Sequence, residues 1–127
     1  MSTGNDAWPV PAFHFRVKLG RRQVAFAEVT GIEAVIGAPE GRVTMRRGIF
    51  KGDLTLWRWF EQCAAKPERR STVTIELLDA DGEPVRRWTL REARPVRIAG
   101  PDLCSTANAV AMETLEVAFA TIQVSAP

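Results

Sequence analysis

The stretch from Ser71 to Ala99 constrains the fold of this chain more than any other. Val73-Thr74-Ile75-Glu76-Leu77-Leu78 is an apolar-alternating segment that runs into the polar turn Asp79-Ala80-Asp81-Gly82. A second alternating run leaves the turn, with Val85, Arg87 and Thr89 on one side and Arg86, Trp88 and Leu90 on the other. Asp and Gly supply the left-handed backbone conformations that a hairpin loop needs. Pro84 stands at the start of the return strand, where a missing amide hydrogen costs little. The stretch reads as a long β-hairpin with no catalytic residue type concentrated at its tip, which favours assembly over reaction.

The flanking segments extend a mainly β reading. Phe13, Phe15, Val17 and Leu19 alternate with His14, Arg16 and Lys18, the period of a half-buried strand. After a Gly20-Arg21-Arg22 turn, Val24 to Ile36 forms a second extended run, interrupted at Thr30-Gly31. A loop at Gly37–Gly41 precedes a short strand from Val43 to Arg46. One helix is predicted at about residues 53–65, capped by Asp53 and stopped at Lys66-Pro67. Leu54, Trp57, Phe60 and Ala64 recur along it at helical spacing, with Leu56 and Cys63 widening that face. Trp57 and Trp59 are two positions apart and cannot share a face, so one packs on the sheet and the other lies at the rim or against a neighbour. The hairpin's second strand continues past a kink at Pro95 to Ile98, and Gly100-Pro101-Asp102 makes a turn.

Residues 1–10 read as a flexible arm, and 11–127 as a single domain. Ala107 to Val124 is open between two readings. Its Ala, Met, Leu and Glu content suits a helix, whereas Val117, Thr121, Ile122 and Val124 suit a strand. As a strand, it puts Leu115, Val117 and Phe119 on one face and Glu116, Ala118 and Ala120 on the other.

At 127 residues, 46% hydrophobic and 25% charged, the chain suits one modest globular core. It has no apolar run of membrane-spanning length and no basic-then-apolar leader, so synthesis and folding in the cytoplasm are expected. Cys63 and Cys104 lie far apart and read as small buried apolar side chains, and one His with two distant Cys is a poor metal site. His14 stands in an alternating strand without a partnered nucleophile, and no phosphate-binding glycine loop occurs. Glu113 and Glu116 point to opposite faces of a strand, so they do not form an acid–base pair there. No catalytic, cofactor-binding or metal-binding residues are assigned, and the expectation is that the chain is not an enzyme. Arginines concentrate between residues 46 and 97, without the interleaved aromatic residues of a nucleic-acid surface. They read as solvated or subunit-facing.

Taken in order, these segments resemble the tail tube proteins of contractile phages and extracellular contractile injection systems, over roughly residues 11–118. The resemblance begins at Phe13-His14-Phe15-Arg16-Val17 and continues through Phe26-Ala27-Glu28-Val29-Thr30-Gly31-Ile32-Glu33 and Val43-Thr44-Met45-Arg46-Arg47-Gly48. Leu56-Trp57-Arg58-Trp59-Phe60 matches the family's Trp-bearing helix. The most specific parts are Arg70–Asp79, Gly82–Trp88, Ala93-Arg94-Pro95-Val96, Gly100-Pro101-Asp102-Leu103 and Val110–Glu116.

The resemblance implies an Hcp-like, tail-tube-like β-barrel with one flanking α-helix, and it resolves Ala107–Val124 as strand. It further implies a structural protein whose homo-hexameric rings stack into a β-lined channel. Its partners would be adjacent rings, sheath, and baseplate or hub proteins, with no membrane. Nucleic acid or effector would be only a passenger in the lumen. Glu116, Ala118 and Ala120 would then face the lumen, and Arg46, Arg47, Arg86, Arg87 and Arg91 would suit ring interfaces. A charge at Val117 or Phe119 would unfold the protomer, whereas one at Ala118 would leave the fold intact.

Two departures bear on the kind of ring. Gly41 is followed almost directly by Val43-Thr44-Met45-Arg46, where the family usually has a longer segment that helps rings contact each other. Phe119-Ala120-Thr121 stands in place of the usual His-Glu-Gly. Both implicate a specialised initiator, terminal or adaptor ring. The alternatives are a secreted type VI-like ring protein carrying effectors and a nucleic-acid-binding barrel.

Overall fold

The computed structural model describes residues 14–101 and 111–127. The predicted N-terminal arm, Cys104, and the Ala107–Val110 part of the last segment lie outside these residues. The elements run β1 (His14–Leu19), β2 (Arg22–Phe26), β3 (Glu28–Thr30), β4 (Gly41–Gly48), α1 (Thr55–Ala64), β5 (Ser71–Leu78), β6 (Pro84–Ala99), β7 (Met112–Phe119) and β8 (Thr121–Ser125). All strand pairings are antiparallel, in the order β2-β1-β5-β6-β7-β4-β3, with β8 added alongside β6. The segment from Met112 to Ser125 is therefore strand.

The two ends of this path, β2 and β3, are consecutive in the chain and separated only by Ala27. The Ala27 amide donates to the Arg46 carbonyl at 2.9 Å, so the chain leaves β1 and joins β4 within one residue. This wraps the sheet into a barrel-like shape and adds a bend at Ala27 to the interruption expected at Thr30-Gly31, where β3 ends and Gly31 takes a φ of +86°. Beyond Thr30 the chain is irregular as far as Glu40, so the extended run does not reach Ile36.

The central hairpin forms as its sequence demands. The Asp79 carboxylate accepts from the amides of Asp81 and Glu83, closing the turn, and Gly82 takes a φ of +80°. Ile75 then stands opposite Trp88, and Glu76 opposite Arg87. β6 is unusually long because it serves two sheets: its first half pairs with β5, and residues Arg94–Ala99 pair with β7. The change falls at a bulge, where β6 advances three residues (Leu90 to Ala93) while β5 advances two (Val73 to Ser71). Glu92 sits there at a φ of +52°, the one described non-glycine residue on the positive side.

Val17, Leu19, Val24, Phe26, Val43, Met45, Val73, Ile75, Leu90, Leu115 and Val117 fill the barrel, and α1 adds Leu56 and Trp59. The helix is rotated from the expected face. Leu54 and Trp57 are exposed, while Leu56 and Trp59 are buried and Phe60 and Cys63 partly so. The predicted division of the two tryptophans holds, with Trp59 inside. Asp53 does not act as the N-cap residue itself; it lies one position earlier, where its carboxylate accepts from both the amide and the hydroxyl of Thr55. Gly41 opposes Phe119, whose ring lies where a Cβ at Gly41 would sit.

A left-handed conformation costs an ordinary L-residue about 1 kcal/mol that glycine does not incur. Glu92 is exposed, so Glu92→Gly should stabilise the protein by about that amount, read as a higher urea midpoint with unchanged slope. An unchanged or lower midpoint would show that the bulge is held by the Glu92 side chain.

Candidate assembly surfaces

Strand alternation sorts the polar residues into two outer faces and one interior set. On the β1-β5-β6 face, Arg16, Glu76 and Arg87 are directly registered neighbours. Arg16 Nε donates to Glu76 Oε1 at 2.9 Å, and Arg87 Nη2 to Oε2 at 2.8 Å. The two guanidiniums cover a carboxylate that is only 1% exposed. Burial pushes the Glu76 carboxyl up, but the bonds from Arg87 and Arg16 outweigh it and hold the group below the usual carboxylate range.

The opposite face is carried by β3-β4-β7-β6. Thr30, Thr44, Glu116 and Arg97 form a registered row across all four strands. Glu116 lies 3.4 Å from Arg42 and 3.6 Å from Arg97, each of them exposed. In the next row Ala118 lies between Arg42 and Arg94. Both arginines reach to Glu40, at 3.6 and 3.3 Å, and Ala118 is 1% exposed. Ala118 thus shares the face of Glu116, as the alternation predicts, but is covered within the protomer. Glu116 is partly exposed and Ala120 is exposed.

The expected interface arginines separate. Arg46 is exposed and lies 3.7 Å from Glu28. Arg86 is exposed and makes no ion pair among the described residues; Arg91 is exposed and donates to Gln123 at 2.9 Å. Arg87 is committed to Glu76. Arg47 is buried, which removes it from any subunit contact. Its position in β4 has the same parity as Val43 and Met45, so it points inward opposite Glu113. Arg47 Nε donates to Glu113 at 2.9 Å, and Nη1 lies 3.2 Å from Asp53. The alternation of Val43-Met45-Arg47 and Glu113-Leu115-Val117 carried this signal, since two opposite charges on two core-facing stripes must pair.

This ion triad ties two strands to the start of α1. The Thr55 hydroxyl and amide, followed by Arg47, lower the Asp53 pKa to about 2 from its ordinary 3.8. Cys63 lies beside Phe60, Pro67, Arg69 and Arg70, and burial pushes its thiol up. No helix among the described residues is long and apolar enough to cross a membrane.

Four antiparallel strands thus carry a largely charge-compensated outer face, in a barrel with one helix. The family model for the T4-like virus tail tube protein gp19 matches residues 36–123. The chain belongs to that family. This tail tube protein has the fold of several solved structures. It superposes on a chain of the extracellular contractile injection system PVC sheath–tube complex in its extended state, with a TM-score of 0.82 and 21% identity over 100% of this chain and 99% of that one. A chain of the PVC sheath/tube terminator gives 0.77 and 23% identity, covering 94% and 98%. Hcp1 from Salmonella typhimurium gives 0.67 and 11%, covering 92% and 87%. No curated protein matches the chain in sequence. The family is one of structural tube components.

Breaking a buried ion pair from one side costs about 3 kcal/mol or more, whereas a well-packed apolar pair in its place is near neutral. Glu113→Ala should therefore lose about 3 kcal/mol in urea unfolding, and the double change Arg47→Met with Glu113→Leu should recover most of it. A double variant as unstable as the single would refute the pairing. Because the folded pKa of Asp53 is depressed, its contribution is full above pH 4 and disappears as the pH falls through 2. Asp53→Asn should thus be less stable than the parent at pH 7, with the gap closing between about pH 4 and pH 2.

Proposed function

We propose that this tail tube protein forms six-membered rings in which the β3-β4-β7-β6 sheets of neighbouring copies join edge to edge and line a channel. One observation carries the reading. β5 leaves β6 at Ala93, so among the described residues Arg94–Ala99 is paired only on its β7 side, and β3 is paired only with β4. The same four-stranded sheet therefore ends in two bare edges on opposite sides, and such edges are pairing templates. Joining one edge to the other edge of the next copy is a heterologous contact, which closes into a ring when the rotation permits.

In such a ring the row Thr30, Thr44, Glu116 and Arg97 faces the channel, and Ala120 lies near its rim. The lumen is then polar and close to charge-neutral, because each arginine along it has a carboxylate within reach. That suits passage of cargo without capture. Arg46, beside the β3 edge, is the expected interface arginine best placed for a contact between copies. Rings of this kind would sit inside a sheath and on a baseplate, in a phage tail or an injection particle assembled in the cytoplasm. A specialised terminal ring is the second reading. It is supported by the direct entry into β4 at Gly41, with no segment between the preceding loop and the strand.

Mass photometry across a concentration series should show a species about six times the 14.1 kDa protomer, with six-fold rings and open centres in negative-stain images. A monomer at every concentration would overturn the ring. Glu116→Gln should leave the rings intact but expose Arg42 and Arg97, giving salt-sensitive retention of polyanions that the parent lacks.

A further inference from the structure

Between the end of α1 and the start of the bare β6 edge lies an open cleft of about 230 Å³. Phe60, Cys63 and Pro67 make its apolar side, and Arg69, Arg70 and Arg94 stand around it, with no carboxylate among the described lining residues. Arg94 is shared with Glu40 at 3.3 Å. Arg70 Nη1 donates to backbone carbonyls, those of Pro67 at 2.7 Å and Arg69 at 3.3 Å, which holds its guanidinium at the rim. Arg69 is exposed and makes no ion pair among the described residues. Burial raises the Cys63 pKa, and the Arg22 and Arg69 charges beside it pull the other way. Unlike the arginines of the channel-side rows, those of the cleft carry surplus charge, and a partly apolar cleft of that kind selects an acidic protein segment.

The edge beside the cleft fixes which segment reaches it. β3 and β7 are each antiparallel to β4, and β6 is antiparallel to β7, so β6 runs opposite to β3. Copies in a ring share one direction along its axis. When β3 of one copy joins Arg94–Ala99 of the next, the two strands are therefore antiparallel, and the chain leaving β3 at Thr30 heads toward Arg94. Thr30 and Arg97 occupy one row of the sheet. Glu33, three residues after Thr30, and Arg94, three residues before Arg97, then lie on the same side of that row and within about 10 Å of it. Glu33 is exposed and makes no ion pair among the described residues.

Resting on the ring reading above, we propose that the cleft is half of a site that the neighbouring copy completes, its Glu33 carboxylate seated between the Arg69 and Arg70 guanidiniums. A bare strand edge by itself offers backbone groups that any other edge satisfies. The carboxylate adds a side-chain condition, because an acid lies just beyond the β3 edge and the arginines that recognise it lie beside the β6 edge. Joining β3 to β3 or β6 to β6 leaves the arginines without their acid and brings like charges together, which disfavours both. The site therefore selects the heterologous joint that closes a ring over a two-fold pair that would end assembly at a dimer.

The test uses the full chain with Cys104→Ser, so that Cys63 is its one thiol. Sedimentation velocity over a concentration series at low salt gives the midpoint of ring formation, and maleimide labelling of Cys63 reports access to the cleft. Glu33→Lys and Arg69→Glu should each raise the midpoint at least about tenfold, and the two together should return it close to the parent value. Labelling of Cys63 should slow as rings form. Glu33 and Arg69 are both exposed and outside the core, so neither change unfolds the protomer. A midpoint unmoved by either single change, or a double change no better than the single ones, would overturn the site. So would Cys63 that labels as fast in rings as in protomers, and each of these results leaves the ring standing. Slowed labelling with a midpoint indifferent to Glu33 would mean that another segment of the neighbour fills the cleft, which overturns the role given to Glu33. A parent that forms no rings overturns both the site and the ring.

Discussion

The bend in β6 is the constraint on which the rest of this fold depends. A sixteen-residue strand cannot follow two differently oriented sheets without a break in its ladder, and the bulge at Glu92 supplies it. Upstream of the bulge, β6 is held by β5 on one side and β8 on the other. Downstream it keeps β7 and loses β5. The strain at Glu92 is thus coupled to the bare edge at Arg94–Ala99. The backbone distortion that closes the barrel is the same one that leaves a sheet edge free for a neighbouring copy.

Arginine dominates the surface, but it is organised by register. Several arginines of the outer rows have a carboxylate on a neighbouring segment: Arg16 and Arg87 with Glu76, Arg42 and Arg97 with Glu116, and Arg94 with Glu40 of the loop before β4. Exposed pairs of this sort add little stability one by one. Their consequence is different. They favour the native register, since a slip of one residue would carry each charged side chain to the opposite face of its sheet, and they cancel part of the field that would otherwise attract polyanions. The net charge of the chain is only +2 despite this much arginine.

Period-2 alternation and turn chemistry made much of the fold legible in the sequence. Val17 and Leu19, the Asp79–Gly82 turn, and the inward set Leu115, Val117 and Phe119 are all local signals, and all are found as read. The misreadings share one cause, that they depended on partners distant in the chain. Arg47 was taken for a surface residue because Glu113 is 66 positions away. That Ala118 is covered within the protomer was not legible either, because Arg42, Arg94 and Glu40 beside it lie on other segments. The helix face was misjudged because Leu54 and Trp57 fit the helical period as well as Leu56 and Trp59 do. Only the position of the barrel decides between them.

The arrangement of the apolar ends bears on where in a tube such a ring would sit. A ring that ends a tube needs only one adhesive surface, and a second, solvent-facing apolar patch on it would be an aggregation hazard. Here both ends of the β4–β7 ladder carry exposed apolar side chains, Val35 and Ile36 at one and Ile49 and Phe50 at the other. Natural surfaces suppress such patches unless something covers them. The direct entry into β4 leaves the exposed loop that precedes Gly41 in place.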